Sequence, residues 1–112
     1  MIDLAIAKTF VYTKFTSMAK AYLEITLTID GIDRAGVAGV YNLYKEPFLK
    51  TIKGALSKEL LIHTDDIQVL HRFDSVENAQ EYLMSNLFNH DVVTSLKPYL
   101  KGEPNIKIYS VA

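Results

Sequence analysis

The sequence predicts an α+β domain whose strands and helical regions follow the order βαββαβ. Two observations support this prediction. Apolar residues alternate strictly along Ala21 to Asp30, which is typical of a strand with one buried face. From Ser57 to Ala112 the apolar period changes from strand spacing to helical spacing and back again. The order predicts a ferredoxin-like, four-stranded antiparallel sheet with its helices on one face.

Composition limits the chain to one domain and excludes several kinds of site. A chain of 112 residues buries enough surface for a real core, and the absence of cysteine excludes disulfides and thiolate chemistry. The 13 acidic and 12 basic residues nearly balance, and the lysines form no stripe, so nucleic acid is not an expected partner. The apolar run near the start is too short for a membrane span and lacks the features of a signal peptide. We therefore expect a cytoplasmic protein with no membrane contact.

The first twenty residues fall outside the βαββαβ pattern. We interpret residues 1–20 as an N-terminal arm and residues 21–112 as the domain. The segment Thr9 to Phe15 is aromatic and β-branched, and we expect it to pack on a partner protomer. Met18 opens a natural start for this fold, so the first 17 residues could be an extension or reflect a misplaced start codon.

The first half of the domain predicts one strand and one helical region. The strand has four apolar residues on one face and ends near Gly31. Helical spacing then continues to Ile52, and Gly54 stops it. Pro47 lies inside this pattern, so we expect a kink or two abutting helices near Glu46.

The second half predicts a hairpin, a helical region and a last strand. Lys58 to Ile62 and Ile67 to Phe73 are joined by a polar turn, which predicts an antiparallel pair. Ser75 is a predicted N-cap without a full capping box. The apolar stripe that follows predicts two helices with a break near Ser85 and Asn86. Asn105 to Val111 forms the last predicted strand.

The open face of such a sheet predicts a homodimer. Tyr22, Glu24, Thr26 and Thr28 give the first strand a mixed outward face, which suits contact with a second copy. A carboxylate of Glu24 or Glu59 could pair with Arg72 across that interface.

Three segments resemble the antibiotic biosynthesis monooxygenase family of dimeric α/β barrels. These are SKELL, then QVLHRFDSVENAQEYLMSNLF, then the closing NIKIYSVA, and the resemblance covers roughly Ala21 to Ala112. Its most specific part is the passage from strand to helix, with an aromatic, an acid and a serine, followed later by a small residue and a phenylalanine: Phe73, Asp74, Ser75, Ser85 and Phe88. The resemblance implies a pocket between sheet and helices in each protomer. Members of the family include cofactor-free oxygenases of quinol-like substrates, haem-degrading enzymes, isomerases and proteins with no assigned activity.

The chain departs from the family at three pocket positions. The usual tryptophan corresponds to Phe73, and an asparagine of some oxygenases corresponds to Val69. The haem-ligating histidine corresponds to Val92, while the nearby His90 faces another side of the helix. These departures disfavour haem degradation and weaken the oxygenase assignment, and we expect no cofactor.

His71 is the candidate catalytic residue. It shares strand parity with Val69 and Phe73, which the resemblance places on the pocket wall as substrate-binding residues. An imidazole with an ordinary pKa of about 6.5 could take a proton from a phenol or an enol. The alternative is a histidine that only bonds a neighbouring group in a half-buried sheet.

Three tyrosines on helices are further candidates. Tyr41, Tyr44 and Tyr82 could offer hydroxyls to a substrate or stack on an aromatic ring, although core packing is the alternative for each. We expect no metal site, because the turn holding His63, Asp65 and Asp66 lacks paired histidines. No phosphate loop or nucleophile elbow occurs.

These observations favour a small-molecule enzyme. It would resemble cofactor-independent monooxygenases and act on aromatic, quinol-like or enolisable substrates, with a small apolar or aromatic molecule as its partner. The alternative is a non-catalytic dimeric α/β barrel that binds a small ligand or is associated with stress.

Overall fold

The computed structural model describes residues 19–112, so the predicted arm lies outside the described residues except for its last two positions. A four-stranded antiparallel sheet carries helices on one face, which confirms the predicted ferredoxin-like fold. The strands stand side by side in the order β2-β3-β1-β4. Their bounds are β1 Ala21–Leu27, β2 Ala55–Ile62, β3 Ile67–Phe73 and β4 Asn105–Ser110. The helices are α1 Arg34–Thr51, α2 Val76–Leu83 and α3 Val93–Leu96, and a π-helical turn, Leu87–Val92, precedes α3.

Strand β1 lies at the centre of the sheet and sets its two faces. Leu23, Ile25 and Leu27 are buried towards the helices, as their alternation predicts. The pairing of β1 with β3 and β4 extends this parity across the sheet. The helix-facing surface of the sheet is therefore the floor of the core. No helix within residues 19–112 is long and apolar enough to cross a membrane.

Helix α1 is continuous through Pro47 and does not divide into two abutting helices. Proline removes one backbone donor from the helix. The fully buried side chain of Phe48 packs against the core directly after Pro47, and Val37 is buried near the start of the helix. Packing at both ends therefore holds one helix despite the lost hydrogen bond.

Gly54 forms the passage from α1 to β2. Its φ of 78° lies in the left-handed region, and a Cβ there would collide with the side chains of Asp74 and Asn78. Strand β2 then begins at Ala55, earlier than predicted, and its register with β3 is irregular between Ala55 and Ser57. Because of this irregularity, the first residues of β2 do not show the strict alternation of a strand, and the sequence pattern placed its start too late.

The hairpin turn between β2 and β3 forms where the sequence predicts it. The amide of His63 donates to the carbonyl of Asp66 at 2.9 Å. Arg34, at the start of α1, donates to the carbonyls of His63 and Thr64 at 2.9 and 2.8 Å. The turn is thereby attached to the helix layer.

The second helical region breaks at the predicted serine. Ser75 caps α2 by accepting a hydrogen bond from the Asn78 amide at 3.1 Å. After α2 ends, the Ser85 hydroxyl donates to the Tyr82 carbonyl at 2.6 Å and accepts from the Phe88 amide at 3.2 Å. Ser85 thus links the end of α2 to the start of the π-helical turn, which the sequence pattern did not predict.

The outward face of the sheet carries charged and aromatic side chains. Arg72 lies 3.4 Å from Glu59 and its guanidinium lies 5.6 Å from the centre of the Tyr22 ring. Glu59, one of the two carboxylates expected to pair with Arg72 across a dimer interface, therefore pairs with it within the same protomer. Leu61 and Tyr109 remain 41% and 46% exposed on this face.

Candidate functional site

Five aromatic rings form the centre of the layer between sheet and helices. Phe48 lies edge-on to His71, Phe73 and Tyr82, with ring centroids 5.2, 5.5 and 4.9 Å apart. Tyr82 also contacts Phe88, at a centroid distance of 5.3 Å. Rings at such distances and tilts pack favourably. They fix the position of His71 beside a cavity.

The inner cavity, of about 30 Å³, borders this cluster. It has room for roughly two water molecules. Its lining is largely apolar, with one lysine, one histidine and two tyrosines among the described residues that form it. The lining residues are Ile25, Val37, Val40, Tyr41, Lys58, Val69, His71, Tyr82, Phe88, Val92 and Leu96.

The structure brings four of the six predicted site residues to this cavity. Those four are His71, Val69, Tyr41 and Tyr82. Phe73 does not line the cavity: it is completely buried against Phe48 and Tyr82.

Tyr44 does not line the inner cavity either. Its hydroxyl lies 3.2 Å from the Ser95 hydroxyl, which joins α1 to the region of α3. This contact is the core-packing alternative raised by the sequence.

His71 is a buried, neutral imidazole. Its Nδ1 lies 3.1 Å from the Leu23 carbonyl oxygen, and because a carbonyl only accepts, Nδ1 carries the hydrogen. Nε2 then holds the free lone pair. Burial, and secondarily the positive charge of Lys58, lowers the pKa of His71 to about 3, although backbone hydrogen bonds at Leu23 and Val69 oppose the shift. The pKa therefore differs from the ordinary value expected from the sequence.

Lys58 is the site residue that sequence reasoning missed. It stands directly opposite His71 in the β2–β3 register and is only 4% exposed. Its amine lies 5.4 Å from the centre of the Phe48 ring and 5.6 Å from that of the Tyr41 ring. Burial, and secondarily the charge of Lys45, lowers the pKa of Lys58 to about 8. Lys58 and Leu60 are two positions apart on the same strand, so their side chains lie on the same face of the sheet. This spacing could have identified Lys58 as a residue that faces the core.

Tyr41 and Tyr82 differ in how their hydroxyls are satisfied. The Tyr41 hydroxyl donates to the backbone carbonyl of Lys58 at 2.6 Å and so attaches α1 to β2 beside the cavity. The Tyr82 hydroxyl is buried and has no hydrogen-bond partner among the described residues. Burial raises the pKa of Tyr82, so its hydroxyl stays protonated and can donate.

An outer cavity of about 460 Å³ lies next to the inner one. The two share Ile25, Phe88 and Leu96 as wall residues. The other walls of the outer cavity come from the end of β1 and from the segment that precedes β4: Leu27, Val93, Lys97, Leu100, Gly102, Glu103 and Pro104. A ligand larger than the inner cavity would need to displace the shared wall.

Side chains suited to a metal ion do not gather in the part of the chain that the structure describes: no group of three or more histidine or acidic residues occurs there. His63 and Asp65 of the hairpin turn are exposed, and the Asp65 amide lies 3.3 Å from Nδ1 of His63. That geometry is a local turn contact.

Solved structures share this architecture. A conserved protein from Methanosarcina mazei Go1 has a TM-score of 0.72 and 16% identity, covering 87% of this chain and 97% of its own. A "putative antibiotic biosynthesis monooxygenase" from Caulobacter crescentus CB15 has a TM-score of 0.72 and 14% identity, covering 90% and 97%. A protein of the same description from Deinococcus radiodurans has a TM-score of 0.69 and 12% identity, covering 82% and 92%.

The chain has the fold of these proteins. The resemblance drawn from the sequence is confirmed at the level of the fold. No protein-family model matches the sequence, and no curated protein matches it. The fold alone therefore does not define the activity of this chain.

Proposed function

We propose that this protein is a small-molecule enzyme that acts without a cofactor on a phenolic, quinol-like or enolisable substrate. The observation that carries the proposal is a buried imidazole beside an apolar cavity, with a free ring nitrogen and no proton on it at neutral pH. The reaction would begin with transfer of the substrate's acidic proton to Nε2 of His71. The resulting anion is electron-rich, and such an anion can isomerise or react with oxygen.

The low pKa of His71 is compatible with this step when the product of the transfer is considered. Proton transfer creates an anion beside the imidazolium, and an adjacent negative charge raises the pKa of a histidine. Apolar walls strengthen that attraction because little water screens it. The unliganded site therefore keeps His71 in its accepting form until a substrate arrives.

The cavity volumes favour a substrate whose acidic end is small. The inner cavity holds only about 30 Å³, so a phenol or enol oxygen fits it while a bicyclic ring does not. Phe88 and Leu96 line both cavities, and we propose that rotation of one of these side chains joins the two. We expect the body of the substrate to occupy the outer cavity.

A non-catalytic role in binding a small ligand is the second candidate. Two observations favour it: the inner cavity is small, and the Nδ1 contact to the Leu23 carbonyl holds the ring of His71 as part of the wall. In that case the cavity would bind a ligand without transforming it.

We also propose that the protein acts as a homodimer closed by the outward face of the sheet. Leu70 lies half-buried on that face between Glu24 and Glu59 in the strand register, with Leu61 and Tyr109 exposed further along it. A sheet face with apolar residues among charged ones suits an isologous contact, for which a stable interface needs about 1,000 Å² or more.

A substrate screen tests the proposed enzyme. Quinols, anthrones and small enolisable acids are incubated with the protein, with and without oxygen, and product formation is followed by mass spectrometry. For a substrate that turns over, His71→Ala should lower the rate by about a hundredfold while binding is largely kept. The absence of turnover across the screen would favour the non-catalytic alternative.

A further inference from the structure

Lys58 is a buried cation for which the described fold provides no anion. Its residue is 4% exposed, so the side chain does not extend along the surface into water as most lysines do. No carboxylate among residues 19–112 forms a salt bridge with it. Burying an unpaired charge is costly, so proteins seldom keep one without a use.

The described elements packed against Lys58 contribute groups that are neutral or positive. Strand β3 contributes His71, helix α1 contributes Tyr41 and Lys45, and Tyr82 of α2 lines the same cavity. The acidic neighbour Glu59 points to the opposite face of the sheet, where it pairs with Arg72. The inner cavity is therefore positive on one side and apolar elsewhere.

The two aromatic rings beside Lys58 only partly replace a counter-ion. The faces of Phe48 and Tyr41 attract a cation at 5.4 and 5.6 Å, but they accept no strong hydrogen bond. Among residues 19–112 the ammonium group has no salt-bridge partner, and its three donors can serve an oxygen in the cavity. The unpaired hydroxyl of Tyr82 is a further donor on the same lining.

We infer that Lys58 binds the anionic oxygen of the ligand, so that the pocket selects phenolates, enolates or carboxylates over neutral molecules of the same shape. A charge-assisted hydrogen bond in a site with little water is among the stronger polar contacts in proteins. In the proposed reaction, the same contact would stabilise the anion that remains after proton transfer to His71. This inference rests on the proposed function for the location of the pocket, and it adds the charge that the ligand would carry.

The test uses 4-nitrophenol, because its visible absorbance reports directly whether the bound phenol is ionised. Nitrobenzene serves as the neutral molecule of similar shape. With the wild-type chain, bound 4-nitrophenol should ionise about one pH unit below the free compound, because Lys58 favours the anion. Nitrobenzene binding, followed by saturation-transfer NMR, should not depend on Lys58.

Three variants separate the charge of Lys58 from other effects. Lys58→Met removes the charge but keeps an unbranched side chain only one atom shorter, and it should abolish the ionisation shift. Binding of 4-nitrophenolate should weaken about tenfold or more while nitrobenzene still binds. Lys58→Arg should keep the shift. Lys45→Met removes an equal charge from the exposed side of α1, near the same Tyr41 ring, and should keep the ionisation shift, because the ammonium group of Lys58 remains.

Two results would overturn the inference. One is an unchanged ionisation shift in Lys58→Met, and the other is a wild-type protein that binds neither probe or binds both without a shift. The test does not require turnover, so its failure is distinct from that of the proposed enzyme. Loss of the charge preference would leave the substrate screen unaffected, and a failed screen would leave anion binding by Lys58 standing.

Discussion

Lys58 and His71 lie directly opposite each other on neighbouring antiparallel strands, and both side chains are buried on the helix-covered face of the sheet. The charge of Lys58 lowers the pKa of His71, and burial lowers the pKa of both. Near neutral pH the pair therefore consists of one ammonium and one neutral imidazole. A proton donor and a proton acceptor thus face one cavity.

The buried imidazole predicts a loss of stability in acid. The pKa of His71 is about 3 in the folded chain and near 6.5 when exposed, so the unfolded state binds more protons in that interval. Its contribution to stability is complete above the higher value and is lost as the pH falls towards the lower one, at no more than about 1.4 kcal/mol per pH unit. Urea denaturation of the wild type and of His71→Phe across this range measures it. The variant should show a shallower decline, whereas His90→Gln, at an exposed site, should match the wild type.

The buried ammonium predicts a variant that is more stable than the wild type. Because the pKa of Lys58 falls from 10.5 to about 8 on folding, its contribution to stability rises as the pH increases between these values and is least below them. Lys58→Met should therefore raise the free energy of unfolding near neutral pH by about 1–3 kcal/mol. Urea denaturation measures the change, with Lys45→Met expected to stay within about 0.5 kcal/mol of the wild type. A comparable loss of stability in Lys58→Met would reveal a partner that holds the charge.

The complete burial of Phe73 predicts that its substitution lowers the stability of the fold and has no direct effect on ligand binding. The side chain is completely buried against Phe48 and Tyr82 and does not line the inner cavity. Phe73→Ala should lower the free energy of unfolding by about 3–5 kcal/mol, because a large hole is left in the core. Denaturant titration measures the loss, and Phe73→Leu should cost less. A Phe73→Ala chain of near wild-type stability but weakened ligand binding would place this ring on the ligand after all.

We expect a single charge placed on the outward face of the sheet to disrupt the proposed homodimer. Leu70→Arg places a positive charge on the proposed interface and should shift the protein to monomers without unfolding it. Sedimentation velocity over a range of concentrations measures the change. Leu43→Arg, on a helix position that is 63% exposed, is the matched control and should remain dimeric. A wild-type chain that sediments as a monomer at every concentration would contradict the assembly itself.

Much of the fold could be predicted because local patterns and tertiary packing agree. Alternation in β1 and β3, the Ser75 cap and the break at Ser85 each depend on neighbouring residues, and each occurs where the sequence places it. The start of β2 was missed because an irregular register interrupts its alternation. Of the two alternatives expected at Pro47, the pair of abutting helices was wrong, because the burial of Phe48 favours one continuous helix α1.

The site was predicted less completely because its chemistry depends on contacts between distant segments. Strand parity placed His71 and Val69 on the cavity wall, and these lie there. Parity could not show that His71 faces a second titratable group, since that follows from the pairing of β2 with β3. A lysine on a strand is usually exposed, so the sequence alone does not predict the burial of Lys58.

The π-helical turn at Leu87–Val92 carries two residues of the inner cavity, Phe88 and Val92. Wider turns of this kind fit an extra residue into a helix and often occur at functional sites. Consecutive residues of an ordinary α-helix stand roughly 100° apart around its axis. Deleting one residue between Phe88 and Val92 would therefore allow an ordinary α-helix to form, in which the two side chains stand three positions apart and still share one face. In this fold, the wider turn is therefore a place where the chain can lose or gain one residue while both side chains stay on the cavity side of the helix.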